Sequence, residues 1–392
     1  MDRAPVDPYL RDVLDVCLRM LHVVAGIAWI GASFYFVRLD LALRAPKDPN
    51  DAGAGVAGEF WGVHGGGLYH SQKYRLAPAE MPEPLHWFKW EAYTTWLSGF
   101  ALMVVLYYFD ADVRLVDPSI AKLEGWEAIV LSVGGLALGW LVYDGLCRTV
   151  GARSQAALAV AGVFLIALTA WAAGELFAAR AAYLQVGAIL GTIMVANVLL
   201  VIIPAHRKLV RAMEEKREPD PAPLMRAKER SVHNNYLTLP VLFTMLAGHF
   251  AFTFGADEAW LVLVLVSVLT AFIRVFSNLW HTGRRVWWIP AAAVVAVVGL
   301  ALWLEPNESS TGSDPGPVPF GQVQGVIAER CATCHSGASA PLGVRLETEG
   351  DIRGRADDIE RQAVQTRAMP PGNATEMTDE ERDLLAAWIA QQ

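Results

Sequence analysis

Eight long apolar segments constrain this 392-residue chain more strongly than any other feature of its sequence. Each is long enough to cross a bilayer as a helix, for which about 20 apolar residues are needed. The segments occupy residues 14–37, 88–109, 126–146, 155–177, 182–203, 236–254, 259–277 and 286–304. A buried helix of a soluble protein could account for one such run, but not for eight in succession. The sequence therefore predicts an all-α fold, a polytopic membrane helix bundle with about eight transmembrane helices.

The basic residues between these segments predict how the bundle is oriented. Loops on the cytoplasmic side of a membrane carry an excess of lysine and arginine. If both ends of the bundle are outside, the inner loops carry 18 of these residues and the outer segments carry five. We therefore expect the N-terminus and the C-terminal segment to lie outside the cytoplasm. The first segment lacks a small-residue cleavage site and is expected to remain as an anchor.

The composition changes after residue 304. Residues 305–319 are rich in proline, glycine and serine, as in a flexible linker, and residues 320–392 have the charged helical pattern of a small soluble domain. We expect the chain to divide into a membrane domain at 1–304, this linker and a C-terminal domain. From residue 305 onward there are 7 basic and 15 acidic residues, whereas residues 1–304 are balanced. Nucleic acid is an unsuitable partner because no basic stripe is present, but the acidic segment suits a basic protein partner.

The C-terminal segment contains a motif for covalent haem attachment. Cys331 and Cys334 have the spacing at which two thiols bond to a haem, and the adjacent His335 then ligates the iron. A zinc knuckle would need a second pair of ligands, which this segment lacks, and a redox dithiol would leave the histidine unexplained. Met369 is expected to be the second axial ligand, and Met377 is the weaker candidate. The sequence thus predicts an all-α cytochrome c domain, which agrees with a location outside the cytoplasm.

The other eight histidines all lie within residues 1–304. Ionisable residues inside a membrane are costly and usually functional. His22 and His249 are predicted in the outer half of their helices, and the others near the inner face. The inner stretches 64–74, 86–91 and 233–236 combine acid–base groups, amides and aromatic rings, which suit a flat polar heterocycle. For any single residue, a solvated loop is an equally good interpretation.

Several long motifs resemble those of the membrane-bound bacterial urate oxidases, or urate hydroxylases, that end in a cytochrome c domain. The motifs are RMLHVVAGIAWIGASFYFVRLD at 19–40, FWGVHGGGLYHSQKY at 60–74, HWFKWEAYTTWLSG at 86–99, RSVHNNYLTLPVLFTMLAGH at 230–249, and CATCH with AMPPGN in the C-terminal segment. The resemblance implies oxidation of urate to 5-hydroxyisourate without direct use of O2. It also implies that electrons leave through haem c. The acidic C-terminal segment suits a soluble cytochrome c or a terminal oxidase as the electron acceptor, and the loop charges predict that this segment lies on the periplasmic side of the bacterial inner membrane.

This chemistry needs a base for urate and cationic and amide donors for its anionic oxygens. We expect these groups at the inner face. The candidate catalytic residues are Lys73, His70, His233, Asn234 and Asn235, with His64 and Glu91 in reserve.

A bilayer core of about 30 Å separates an inner site from an outer haem c, which is too far for one fast electron transfer. Either urate binds on the outer side, or one or two b-type haems form a relay within the bundle. His22 and His249 are the expected outer axial pair, and His86 and His281 are candidates for an inner pair. Bound copper would require these histidines to be reassigned.

Two other functions fit the sequence. The membrane domain could be a quinol-oxidising di-haem cytochrome b, or a transporter with an electron-transfer tail, although no internal repeat typical of transporters is visible. Cys17 and Cys147 lie in or beside apolar helices, where small core residues are more common than reactive thiols. The sequence leaves the oligomeric state open.

Overall fold

The computed structural model describes residues 8–78, 80–305, 316–337 and 340–392. Within these ranges, each of the eight predicted spans overlaps one main helix. These helices are α1 (Pro8–Ala42), α2 (Trp90–Met103), α3 (Gly125–Leu146), α4 (Gln155–Gly174), α5 (Ala179–Ala196), α6 (Pro221–Leu246), α7 (Ala259–His281) and α8 (Trp288–Trp303).

Five helical stretches of the described residues are by themselves long and apolar enough to cross a membrane. They are Tyr9–Ala42, Gly125–Gly151, Gln155–Gly174, Ala179–Glu214 and Ala259–His281. The helix α8 is apolar but shorter, and α2 is extended by a π-helical turn, Val104–Tyr108. The helix α6 is long enough, but its first half is rich in charged residues. The fold is therefore the predicted helical membrane bundle.

The helix α5 lies at the centre of this bundle and packs against α2, α3, α4 and α6. Most of its side chains are buried, including Val186 and Ile193. Its Gly187 lies so close to α6 that a Cβ atom there would collide with Thr244. Small residues at such crossings let helix backbones approach closely in membrane proteins. At the edge of the bundle, α1 packs mainly along α2, and α8 packs on α7.

Two π-helical turns lie at the ends of α3 and α5, at Cys147–Gly151 and Asn197–Ile202. Pro204 follows the second turn, and it explains the irregularity because proline has no N–H to donate to the carbonyl four residues earlier. The helix then continues as Ile203–Glu214. Such turns are frequent at functional sites, and both of these lie at one end of the bundle.

A β-hairpin stands between α1 and α2, and the all-α prediction did not include it. Its antiparallel strands are β1 (Val56–His64) and β2 (Gly67–Tyr74). Gly65 and Gly66 form the turn with φ values of 56° and 83°, a backbone that favours glycine at both positions of a two-residue hairpin turn. We call the end of the bundle that carries this hairpin the hairpin end, and the opposite end the tail end.

The C-terminal tail has its own hydrophobic core. Helices α9 (Phe320–Arg330) and α10 (Asp379–Ile389) pack around Val323, Ile327 and Leu385. The predicted capping box of α10 is present: the Glu381 amide donates to Thr378 Oγ1 at 3.3 Å, and the Thr378 amide donates to Glu381 Oε2 at 2.8 Å. The tail is therefore a small helical unit, as predicted.

Candidate functional site

The residues of the haem-attachment motif follow α9 directly. The His335 amide donates to the Cys331 carbonyl at 2.9 Å, which turns the chain back toward the helix end. The imidazole Nδ1 of His335 donates to the Val344 carbonyl at 2.9 Å. This hydrogen bond holds the ring and leaves Nε2 free, as in a histidine that ligates a metal.

The environment of Cys331 distinguishes haem attachment from a redox dithiol. Reactive dithiols have a lowered thiol pKa, because the thiolate is the nucleophile. Here burial raises the pKa of Cys331 to about 11. The thiol is therefore poorly suited to disulfide exchange, which argues against a redox dithiol.

Met369 and Met377 differ sharply in their surroundings. Met377 is 3% exposed and belongs to the core of the tail, whereas Met369 is 37% exposed. The backbone of Met369 is nevertheless well held: its amide donates to the Gln362 carbonyl at 2.9 Å, and its carbonyl accepts from Arg382 Nη1 at 3.0 Å. A fixed backbone with a free thioether fits an axial ligand of haem c, so the residues present fit the group with Met369 as its second ligand.

The loop that carries Met369 lies against the tail end of the bundle. Gly255 faces the backbone of Thr366, and Gly372 faces the carbonyl oxygen of Val113. A Cβ atom on either glycine would collide with these neighbours. Segment 366–372 is thus in direct contact with the loops that follow α2 and α6, and Met369, the methionine predicted to ligate the haem, lies within it.

A network of buried polar residues lies at the hairpin end, where α3, α5 and α6 meet. We call it the Arg230 cluster; it consists of Tyr143, Asp144, Cys147, Asn197, Arg230, His233 and Asn234. Arg230 is 6% exposed, and its Nη2 lies 2.6 Å from Asp144 Oδ1. Its guanidinium group also lies over the ring of Tyr143, 4.9 Å from the centroid. The positive charge is therefore paired and covered.

The hydrogen bonds of the Arg230 cluster determine which of its groups donate and which nitrogen of His233 carries the proton. Asn197 Nδ2 donates to the Tyr143 hydroxyl at 3.1 Å and to Asn234 Oδ1 at 2.8 Å. Since the Tyr143 oxygen accepts from Asn197, its O–H is free to donate to His233 Nδ1, 2.8 Å away. His233 then carries its proton on Nε2, which lies 3.5 Å from Gln155 Oε1. A neutral histidine of this kind can relay a proton.

A second polar group, the Arg274 cluster, joins α1, α6 and α7; its members are Phe34, Asn235, Arg274, Ser277 and Asn278. Arg274 is 5% exposed. Its Nε donates to Asn235 Oδ1 at 2.6 Å, its Nη1 donates to Ser277 Oγ at 3.1 Å, and its guanidinium carbon lies 3.7 Å from the Phe34 ring centroid. Among the described residues, neither Arg274 Nη2 nor Asn278 Oδ1 has a hydrogen-bond partner, although both atoms are buried.

The hairpin contributes a third group. His70 Nε2 lies 2.9 Å from Glu59 Oε2, and the indole of Trp61 stacks on the imidazole at 4.2 Å between centroids. Lys73 forms an ion pair with Asp40 near the end of α1. Burial, with a nearby lysine of α6 as a second cause, lowers the pKa of Lys73 from its ordinary value.

The predicted catalytic residues are thus distributed over several groups. His233 and Asn234 belong to the Arg230 cluster, Asn235 belongs to the Arg274 cluster, and the hairpin carries His70, Lys73 and the exposed His64. Glu91 lies in the first turn of α2, with its Oε1 3.9 Å from His86 Nε2 and its Oε2 buried without a partner in the described chain. All of these residues lie at the hairpin end.

The histidines predicted to hold a membrane haem have different environments. His22 Nδ1 lies 2.9 Å from the Thr95 carbonyl, and its ring packs on Gly99, where a Cβ atom would be 2.8 Å from Cε1. This anchoring leaves Nε2 free, as a haem ligand requires. His249 is exposed on the turn Ala247–His249, and His86 is mostly exposed. Within the described ranges, no group of three or more histidine, cysteine or acidic residues could hold a metal ion.

The site contains residues that the sequence reasoning missed, above all Arg274, Arg230 and Asp144. A signal for Arg274 was available, because it is the one charged residue within the apolar run 260–280. Such residues are candidates for function by default, but the sequence-based prediction did not include Arg274.

Comparison with known families supports the division of roles between bundle and tail. The sequence profile of the urate oxidase N-terminal family matches residues 8–305. The profile of subunit III of the cbb3-type cytochrome c oxidase matches residues 320–389. No curated protein and no solved structure is significantly similar to the chain. Since the first profile covers most of its length, the chain belongs to the urate oxidase N-terminal family, with a cytochrome c domain at its C-terminus.

Proposed function

We propose that the bundle oxidises urate and passes the electrons to the haem c of its own tail. The balanced reaction is urate + H2O → 5-hydroxyisourate + 2 e⁻ + 2 H⁺, with haem c accepting one electron at a time. The observation that carries this proposal is the contact between segment 366–372 and the tail end of the bundle. A cytochrome that was merely tethered would not need its ligand loop against the membrane domain, whereas one that receives electrons from that domain would.

The family match supports urate as the substrate, and the hairpin end supplies groups for its chemistry. His233 is the proposed base: its Nδ1 accepts a hydrogen bond from the Tyr143 hydroxyl, so it would take up a proton through that hydroxyl. Lys73 and His70 of the hairpin, with Asn234 and Asn235 of α6, are the proposed donors to the anionic oxygens of urate. His64 and Glu91 remain reserve candidates.

The route from the hairpin end to the tail end requires a relay, because the bilayer core is about 30 Å thick. We propose that the bundle binds one or two b-type haems, with His22 and His249 as the outer axial pair and His86 and His281 as candidates for an inner pair. A b-type haem supplies one-electron transfer when bound. The anchored Nδ1 of His22 supports its assignment as a ligand.

The proposed location is the bacterial inner membrane, with the N-terminus and the tail in the periplasm. The proposed parts are a membrane domain at 1–304, a linker at 305–319 and the cytochrome c domain at 320–392; residues 306–315 of the linker lie outside the described residues. The acidic tail suits a soluble cytochrome c or a terminal oxidase as the next acceptor, through attraction to a basic surface.

The test is to add urate to membranes without oxygen and to follow the absorption band of reduced haem c. Urate should reduce the haem, and a Cys331→Ala/Cys334→Ala variant should give no such signal. Reduction by a quinol but not by urate would overturn the proposal in favour of a quinol-oxidising cytochrome b. Pyridine haemochrome analysis of the purified protein tests the relay, which requires non-covalent haem in addition to one covalent haem per chain.

A further inference from the structure

We propose that Arg274 and Asn278 of α7 recognise a lactam edge of the heterocyclic substrate. Arg274 Nη2 would donate a hydrogen bond to the carbonyl oxygen of the lactam, and Asn278 Oδ1 would accept one from the adjacent N–H. This inference rests on the proposed function and deepens it by naming the groups that orient the substrate.

The first argument is the hydrogen-bonding state of Arg274. Its Nε and Nη1 are committed to Asn235 and Ser277, and Phe34 covers one face of the guanidinium plane. These contacts hold the group in one orientation and leave the N–H bonds of Nη2 unused. A buried polar group without a partner is costly, and more so when it is charged. An arginine held in this way inside an apolar helix is explained by a ligand that completes its hydrogen bonds.

The second argument is the position of Asn278. It lies four residues after Arg274, so both side chains project from one face of α7 and are neighbours. Its Oδ1 is also buried and has no partner among the described residues. The helix therefore offers one unused donor beside one unused acceptor.

The chemistry of this pair selects among ligands. A lactam, –C(=O)–NH–, presents an acceptor and a donor on adjacent atoms, and an oxidised purine has several such edges. A quinol offers a donor and an acceptor only on a single hydroxyl oxygen, whereas a lactam offers them on two adjacent groups that lie side by side, as Arg274 Nη2 and Asn278 Oδ1 do on α7. The pair therefore matches a lactam edge such as that of an oxidised purine.

The charge around Arg274 favours an anion. Arg38 of α1 and Arg274 both lie close enough to His281 to interact with it electrostatically. In the described part of the chain no carboxylate forms an ion pair with Arg274, whereas the other buried arginine of the hairpin end, Arg230, is paired with Asp144. The excess positive charge would attract a heterocycle that has lost a proton, as urate has at neutral pH.

Two variants test the proposal, with the holoprotein in detergent and urate as the probe. Arg274→Gln and Asn278→Leu should each raise the KM for urate at least ten-fold, the loss expected for one buried hydrogen bond to a ligand. Arg284→Gln, which removes an exposed charge from the same end of α7, is the matched control and should leave the KM unchanged. Asn278→Leu keeps the bonds of Arg274 to Asn235 and Ser277, so it serves if Arg274→Gln fails to fold.

A set of N-methylated urates gives a readout that a structural role would not produce. Methylation of the urate nitrogen that would donate to Asn278 Oδ1 should weaken binding to the wild type at least ten-fold. The Asn278→Leu variant should bind urate and this methylated urate equally. If the wild type turns over urate but the variants keep its KM and its methyl discrimination, the inference is wrong and the proposed function stands. If the wild type neither binds nor oxidises urate, the proposed function itself fails.

Discussion

The ion pair between Arg230 and Asp144 should be a main determinant of stability at the hairpin end of the bundle. Their side chains are 7% and 15% exposed, and the two atoms are 2.6 Å apart. Removing one partner of a buried pair costs about 3–5 kcal/mol, because a charge is left buried without its counter-charge. Asp144 has a second partner: its Oδ2 lies 2.6 Å from Nε of Arg148, whose side chain is 73% exposed. Because this second partner remains, we expect Arg230→Met to cost about 3 kcal/mol, the lower end of that range.

The assay is unfolding of the purified protein by SDS in mixed micelles, followed by circular dichroism. Arg148→Met is the matched control, since it removes an exposed partner of the same carboxylate four residues away and should cost no more than about 0.5 kcal/mol. In the double variant Arg230→Met/Asp144→Leu no buried charge is left unpaired. It should therefore recover most of the stability lost in Arg230→Met, and the difference gives the coupling energy.

Two results would refute this reasoning. Equal destabilisation by Arg230→Met and Arg148→Met would mean that burial does not distinguish the two ion pairs. A double variant less stable than Arg230→Met would mean that the loss comes from packing on Tyr143 and not from an uncompensated carboxylate.

Three further predictions concern the tail. Gly255→Ala should slow the reduction of haem c by urate, because the added methyl group would collide with Thr366 of the tail; reduction by dithionite should stay fast. Gly174→Ala is the control, since the space around Gly174 is open, and it should change neither rate. Met369→Ala should lower the reduction potential of haem c in a redox titration, because a thioether ligand raises it, whereas Met377→Leu should leave it unchanged. Burial alone would raise the pKa of Glu381, but its hydrogen bonds and its ion pair with Arg330 together lower it. The ionised carboxylate therefore stabilises the folded tail at pH values above its unfolded pKa, and this stabilisation is lost as the pH falls through its folded pKa. Acid titration of tail helicity in Glu381→Gln should therefore lack that loss, and an unchanged acid transition would contradict the assignment.

The parts that could be predicted from sequence are those encoded by local chemistry. A run of apolar residues is sufficient to indicate a membrane helix, so all eight helices were located. The start of α6 was not: the helix begins at Pro221, whereas the apolar run begins at residue 236. The intervening residues are charged, and hydropathy detects burial in lipid and not helical structure as such. The Cys-x-x-Cys-His motif was equally readable, because its spacing directly serves the attachment chemistry.

Contacts between distant residues could not be predicted in the same way. Asp144 and Arg230 are 86 positions apart, and nothing in the local pattern of either helix indicates that they meet. The hairpin was missed for another reason: its strands mix polar and aromatic residues without an alternating pattern, so its register depends on backbone pairing. Cys17 was expected to be a small core residue, but it is exposed on α1.

The central position of α5 has a consequence for the assembly of the protein during synthesis. Its Gln185 pairs with Ser132 of α3, a helix that is already made when α5 emerges. Asn197, directly after α5, instead hydrogen-bonds to Asn234 of α6, a helix that is synthesised later. Asp144 of α3 likewise pairs with Arg230 of α6. These two polar side chains are thus inserted before their partners on α6 exist. We expect the nascent bundle to hold these groups near the lipid headgroups, where water can solvate them, until α6 is in place and the hairpin end can close.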